Sequence, residues 1–104
     1  MRIRKGTIMA VKEVKVNLRT VKDKKNAIQL IYAAIGFEGE AGTNLDALHD
    51  VLSAWGTPVR ITFTYWKRFS SRPDSNAAGI EKVLNDVMME NRNLIFAFKD
   101  NRWV

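Results

Sequence analysis

Asp46, His49, Asp50 and Ser53 place two carboxylates, an imidazole and a hydroxyl within eight consecutive residues. A metal ion, a Ser–His–Asp nucleophile or a charged binding face could each be drawn from that set. A metal would need further ligands. The chain offers no cysteine and no second histidine, and Asp46 and Asp50 are only one helical turn apart. A triad would need a strained nucleophile turn and an oxyanion nest, and Ser53 sits in neither. No other cluster of chemistry-bearing residues stands out. The chain is therefore read as a binding protein rather than an enzyme, with no cofactor and no metal.

The element that must position these residues is a helix within Gly42–Trp55. At 100° per residue, Leu45, Leu48, Val51, Leu52 and Trp55 share one side. Asp46, His49, Asp50 and Ser53 share the other, which carries no Lys or Arg. Thr43 or Asn44 can cap the start, and Gly56 with Pro58 marks the end. Asp46 lies in the first turn, where free N–H groups favour an anion. Asp50 lies mid-helix, four residues on, where a like-charge pair costs a few tenths of a kcal/mol. Its benefit is expected to come from outside the chain. Leu48 and Leu52 are predicted core residues.

The distribution of charge sharpens this reading. The chain has 104 residues, a size for one domain, and a net charge of +6. Residues 1–25 hold nine basic and two acidic side chains, and residues 59–104 hold eight and five. Residues 26–58 hold no Lys or Arg and four acids, Glu38, Glu40, Asp46 and Asp50. An acidic island thus interrupts a basic chain. A hydrophobic fraction of 46% suffices for a core, and no run is long enough for a membrane span. The absence of cysteine fits a reducing compartment, and no secretory leader is read at the start, so a cytoplasmic location is expected. Met9 offers a second candidate start.

In chain order, residues 1–12 read as a basic arm or a short extra strand. Residues 13–19 alternate, with Val14, Val16 and Leu18 opposed to Lys15, Asn17 and Arg19, as in a half-buried strand. Ala27, Ile28, Ile31, Ala34 and Ile35 recur at helical spacing from Asp23 to Gly36. Tyr32 reads as a half-buried packing residue. Residues 36–42 form a glycine-rich loop whose Glu38 and Glu40 would repel a phosphate. A second strand is predicted with Val59, Ile61, Phe63 and Tyr65 on one face and Arg60, Thr62, Thr64 and Trp66 on the other. A helical turn around Trp66–Phe69 follows. Ser75 is the predicted N-cap of a long helix to Glu90, lined by Ala77, Ile80, Val83, Leu84, Val87 and Met88. Gly79 weakens that helix by about 1 kcal/mol, and the methionines read as core filler. Leu94–Phe98 is an unbroken apolar run, the mark of a strand covered on both faces. Lys99–Val104 reads as a polar tail with an exposed Trp103. Strands separated by helices predict an α/β fold, a small three-stranded parallel sheet with helices packed on it.

The stretch Gly42 to Leu52, with Trp55 and Pro58 following, resembles the barstar family through Gly-x-Asn-Leu-Asp-Ala-Leu-x-Asp-x-Leu. Members of that family are intracellular ribonuclease inhibitors. The order of elements fits from residue 13 to 98. The resemblance implies that this helix and its preceding loop plug a nuclease active site. The carboxylates would mimic RNA phosphates and pair with the enzyme's Arg and Lys. Carried over by position, it implicates Asp46, His49, Asp50, Ser53 and Trp55, with Gly42 and Asn44 shaping the junction. It departs from the family where Glu38-Gly39-Glu40-Ala41 replaces a tyrosine-bearing loop and His49 replaces an aromatic residue. Acids of the later helix fall near Met89 and Asn93, and the net charge has the opposite sign. These departures imply a different cognate nuclease, as for immunity proteins against toxins exchanged between bacteria, including by contact-dependent inhibition. A monomer is expected.

A competing reading is a nucleic-acid-binding module. It would use residues 2–25 with Arg60, Lys67, Arg68 and Arg72, and stack bases on Trp66 and Phe69.

Overall fold

The computed structural model describes residues 11–100. The predicted arm therefore lies almost wholly outside the described residues, as does Trp103. The elements run β1 (Lys12–Asn17), α1 (Lys24–Ile35), α2 (Leu45–Ser53), β2 (Val59–Thr64), α3 (Trp66–Ser70), α4 (Ala77–Glu90) and β3 (Leu94–Phe98). The strands form one parallel sheet in the order β1-β2-β3. Each strand-to-strand connection steps one place in the same direction. Right-handed crossovers then put the helices on a single face.

Register and burial agree with that arrangement. Val14 pairs with Ile61 and Ile61 with Phe96, while Val16 pairs with Phe63 and Phe63 with Phe98. These residues point toward the helices and join the core. Lys15, Thr62 and Ala97 form a neighbouring row, as do Glu13, Arg60 and Ile95. Pleating sends both rows to the opposite face. There Glu13, Lys15, Arg60 and Ile95 are exposed.

Three expectations are corrected. Leu94–Phe98 is not covered on both faces: Ile95 is 45% exposed while Leu94 and Phe96 are buried. Its strand pairs on one side only and lies at an edge, so the apolar run reflects β-propensity as well as burial. The alternation of the second strand also stops early. Tyr65 adopts φ 61, a left-handed conformation, and caps α3. That reversal carries Trp66 into the core against Phe63, Phe69 and Phe98. Finally, the N-cap of α4 is Asn76 in the left-handed region, without a side-chain cap. Ser75 is buried just before it, and its Oγ accepts from the N–H of Ala77 at 3.3 Å.

Local contacts fix the ends of α1. Asp23 caps α1 by accepting from the N–H of Asn26 at 2.8 Å, and Gly36 ends it at φ +84. Of the methionines read as core filler, Met88 packs on the core with its Sδ 3.2 Å from the N–H of Phe96, but Met89 is 85% exposed and corrects that reading.

Candidate partner-binding face

Asn44 makes the turn into α2. It is extended at φ −113 and its Oδ1 accepts from the N–H of Ala47 at 2.7 Å. Asn44, rather than Thr43, is therefore the cap. Gly42 has a steric role: a Cβ there would lie 3.3 Å from Asn44 Nδ2 and 3.6 Å from the Ala47 Cβ, crowding that cap. Tyr32 is buried at 7% exposure rather than half-buried as read, and its hydroxyl donates to the carbonyl of Gly42 at 2.8 Å, tying the loop to α1. Burial raises the pKa of Tyr32 above 10.0, favouring the neutral phenol that donates this bond.

The apolar side of α2 anchors it. Leu48 and Leu52 are wholly buried, and Leu45, Val51 and Trp55 pack against the core. Gly79 of α4 permits the close approach. A Cβ there would sit 2.8 Å from the Leu45 Cδ1, so the glycine that costs helix propensity makes room for α2. At the other end, α2 stops at Ser53, with Ala54 rather than Gly56 as its cap. Leu52 O accepts locally from the Trp55 N–H at 3.2 Å, and further donors reach this end from the far side of the chain. Asn91 Nδ2 lies 2.9 Å from both Leu52 O and Trp55 O, and Asn93 Nδ2 lies 3.1 Å from Trp55 O.

The helix so fixed presents its polar side outward. Asp46 and Asp50 are exposed, and neither has a cationic partner among the described residues. His49 is engaged: its Nε2 lies 3.1 Å from Glu90 Oε1 at the end of α4. Ser53 Oγ lies 3.4 Å from the same Glu90 oxygen. Glu90 was not singled out from sequence, and it extends the acidic face beyond α2.

The Ser53, His49 and Glu90 cluster is not a relay. Ser53 Oγ is 3.4 Å from Nδ1 and 3.5 Å from Nε2, so it sits beside the ring rather than on one nitrogen's axis. The acid takes the Nε2 position and also meets the serine itself. A working triad needs the serine and the acid on different ring nitrogens. Among the described residues, no group of His, Asp and Glu could hold a metal ion.

The remaining candidates are less tightly joined to α2. Glu38 and Glu40 are exposed on the loop. Trp55 is half-buried with its ring edge-on to Phe37 at 6.3 Å, and its Nε1 lacks a hydrogen-bond partner among the described residues. Of the residues missed in sequence, Glu90 and Asn91 carried no local signal, because their importance arises only from the packing of α4 on α2.

Comparison with known proteins bears on this arrangement. No curated protein matches the chain. A family model described as Barstar (barnase inhibitor) matches residues 11–100, all but the extreme ends. The parallel sheet, the capped acidic helix and that match together establish that the chain belongs to the barstar family.

Proposed function

We propose that this chain is an immunity protein that blocks the active site of a cognate nuclease toxin with α2 and the loop before it. The observation that carries this reading is the exposed, unpaired state of Asp46 and Asp50 on a helix otherwise locked in place. Two carboxylates one turn apart on a rigid support resemble successive phosphates of a nucleic acid. Arg and Lys of a nuclease site would give them short, charge-assisted hydrogen bonds. Pre-organisation by Asn44, Gly79 and Asn91 keeps the ordering cost of binding low. Glu90 and the loop glutamates add negative potential that steers a basic partner toward the face.

The toxin would differ from barnase, given His49 on the helix and Glu38-Gly39-Glu40-Ala41 in the loop. The expected setting is the bacterial cytoplasm, consistent with a chain lacking cysteine. The competing reading loses its stacking platform, since Phe69 is wholly buried and Trp66 is 8% exposed. Arg60, Lys67 and Arg68 remain exposed, and Arg72 is half-buried with Nη2 donating to Arg19 O.

The test is co-purification of the chain with the nuclease encoded beside its gene, followed by RNA and DNA cleavage assays. Stoichiometric inhibition is expected. A nuclease that neither binds nor is inhibited, together with RNA retardation that survives physiological salt, would replace this reading with the nucleic-acid one.

A further inference from the structure

We infer that a cleft between α1 and the loop before α2 takes an arginine side chain of the nuclease, with Glu40 as its counter-ion. This rests on the inhibitor reading, and it separates two glutamates that sequence treats alike. The cleft lies between α1 and the loop, is shallow and open to solvent, and measures about 480 Å³. Tyr32 and Phe37 line it, with ring centroids 5.3 Å apart and planes at 49°. Glu40 lines it as well; Glu38, two residues earlier, does not.

The chemistry of the lining selects a cation. Tyr32 is only 7% exposed, so Phe37 is the accessible ring, and an aromatic face attracts a cation held against it. Glu40 supplies a full negative charge, and it forms no ion pair among the described residues. An apolar side chain would strip water from Glu40 without replacing its hydrogen bonds. Guanidinium suits the site better than ammonium, because it is planar, stacks on rings and forks onto a carboxylate.

The cleft is also held in shape. The Tyr32 hydroxyl is fixed on Gly42 O, which steadies one wall. Gly39 lets the Phe37 ring lie where it does, since a Cβ there would fall 2.9 Å from Phe37 Cζ. Trp55 backs the Phe37 ring at 6.3 Å, linking the cleft to the end of α2.

The probe is N-acetyl-arginine amide, titrated into the full chain and followed by backbone amide NMR. Shifts are expected at Phe37, Gly39 and Glu40, with a dissociation constant on the order of millimolar. Glu40→Gln should weaken the probe at least about fivefold and Glu38→Gln less than about twofold, for a charge-assisted contact made by one of the two. Phe37→Leu, which keeps the wall apolar but removes the ring, should weaken it too. Equal binding to wild type and Glu40→Gln, or equal shifts with N-acetyl-norleucine amide, would overturn the assignment. So would the absence of shifts up to about 50 mM, a range where even millimolar binding saturates. The nuclease separates the two claims. Inhibition lost with Asp50→Ala but unchanged with Glu40→Gln refutes the cleft alone. Inhibition unchanged in both refutes the inhibitor reading itself.

Discussion

Replacing Asp50 with alanine should divide folding from binding. The carboxylate is exposed, mid-helix, and free of any cationic partner among the described residues. Its loss removes no side-chain hydrogen bond or ion pair among the described residues, so stability should move by no more than about 0.5 kcal/mol. The sign should favour the variant by a few tenths of a kcal/mol, because Asp46 loses a like charge four residues away. Binding should respond differently. A carboxylate at the centre of an interface, bonded to desolvated Arg or Lys, belongs to the hot-spot class, for which an aspartate of barstar itself is a reference case. The expected loss is at least about 2 kcal/mol, or roughly thirty-fold in affinity. Part of it should appear in the association rate, and added salt should slow wild type more than the variant. The assay is titration of the nuclease with each protein at two ionic strengths, beside thermal melts of each alone. Unchanged affinity, or a melting temperature lowered by many degrees, would show that Asp50 serves the fold.

Three further outcomes are expected. Leu48→Ala should cost about 2–5 kcal/mol, since the side chain is wholly buried, and an unchanged melting temperature would contradict the facing of α2. Asn91→Ala should cost about 1–2 kcal/mol by removing one donor from each of the Leu52 and Trp55 carbonyls, which keep the Trp55 N–H and Asn93 Nδ2 as their other partners, with faster amide exchange at the end of α2; protection equal to wild type would show that the clamp is dispensable. Tyr32, whose pKa is raised in the fold, should add to the alkaline loss of stability. Its contribution is complete below pH 10.0, the unperturbed value, and is lost as pH rises through the raised value. Tyr32→Phe should cost about 1 kcal/mol at neutral pH and flatten that alkaline limb, as read from urea unfolding across pH.

How much of this was legible beforehand varies by residue. The facing of α2 was, because five apolar positions at helical spacing and a capping Asn leave little freedom. The parallel sheet followed from helices lying between strands. Leu94–Phe98 misled because a short apolar run looks alike in a central and an edge strand, and only the sheet order decides. Tyr65 misled because alternation continues in sequence past the point where a left-handed residue ends the strand. Gly79 looked like a defect in α4 until the Leu45 methyl was seen above it. Within the site, Asp46, His49, Asp50 and Ser53 could be grouped from one helix. Glu90 and Asn91 could not, since contacts spanning some forty residues leave no periodic trace.

The clamp from Asn91 has a consequence in time. The carbonyls that end α2 are closed by a side chain 39 positions downstream of Leu52. Synthesis at 5–20 residues per second puts roughly two to eight seconds between the appearance of the two. During that interval a growing chain carries the acidic helix sequence without the fastening that steadies it. Half-made copies should therefore lack a steadied α2. If the chain acts as the proposed immunity protein, a cell would need finished molecules in store before a toxin arrives, rather than a burst of new translation in response.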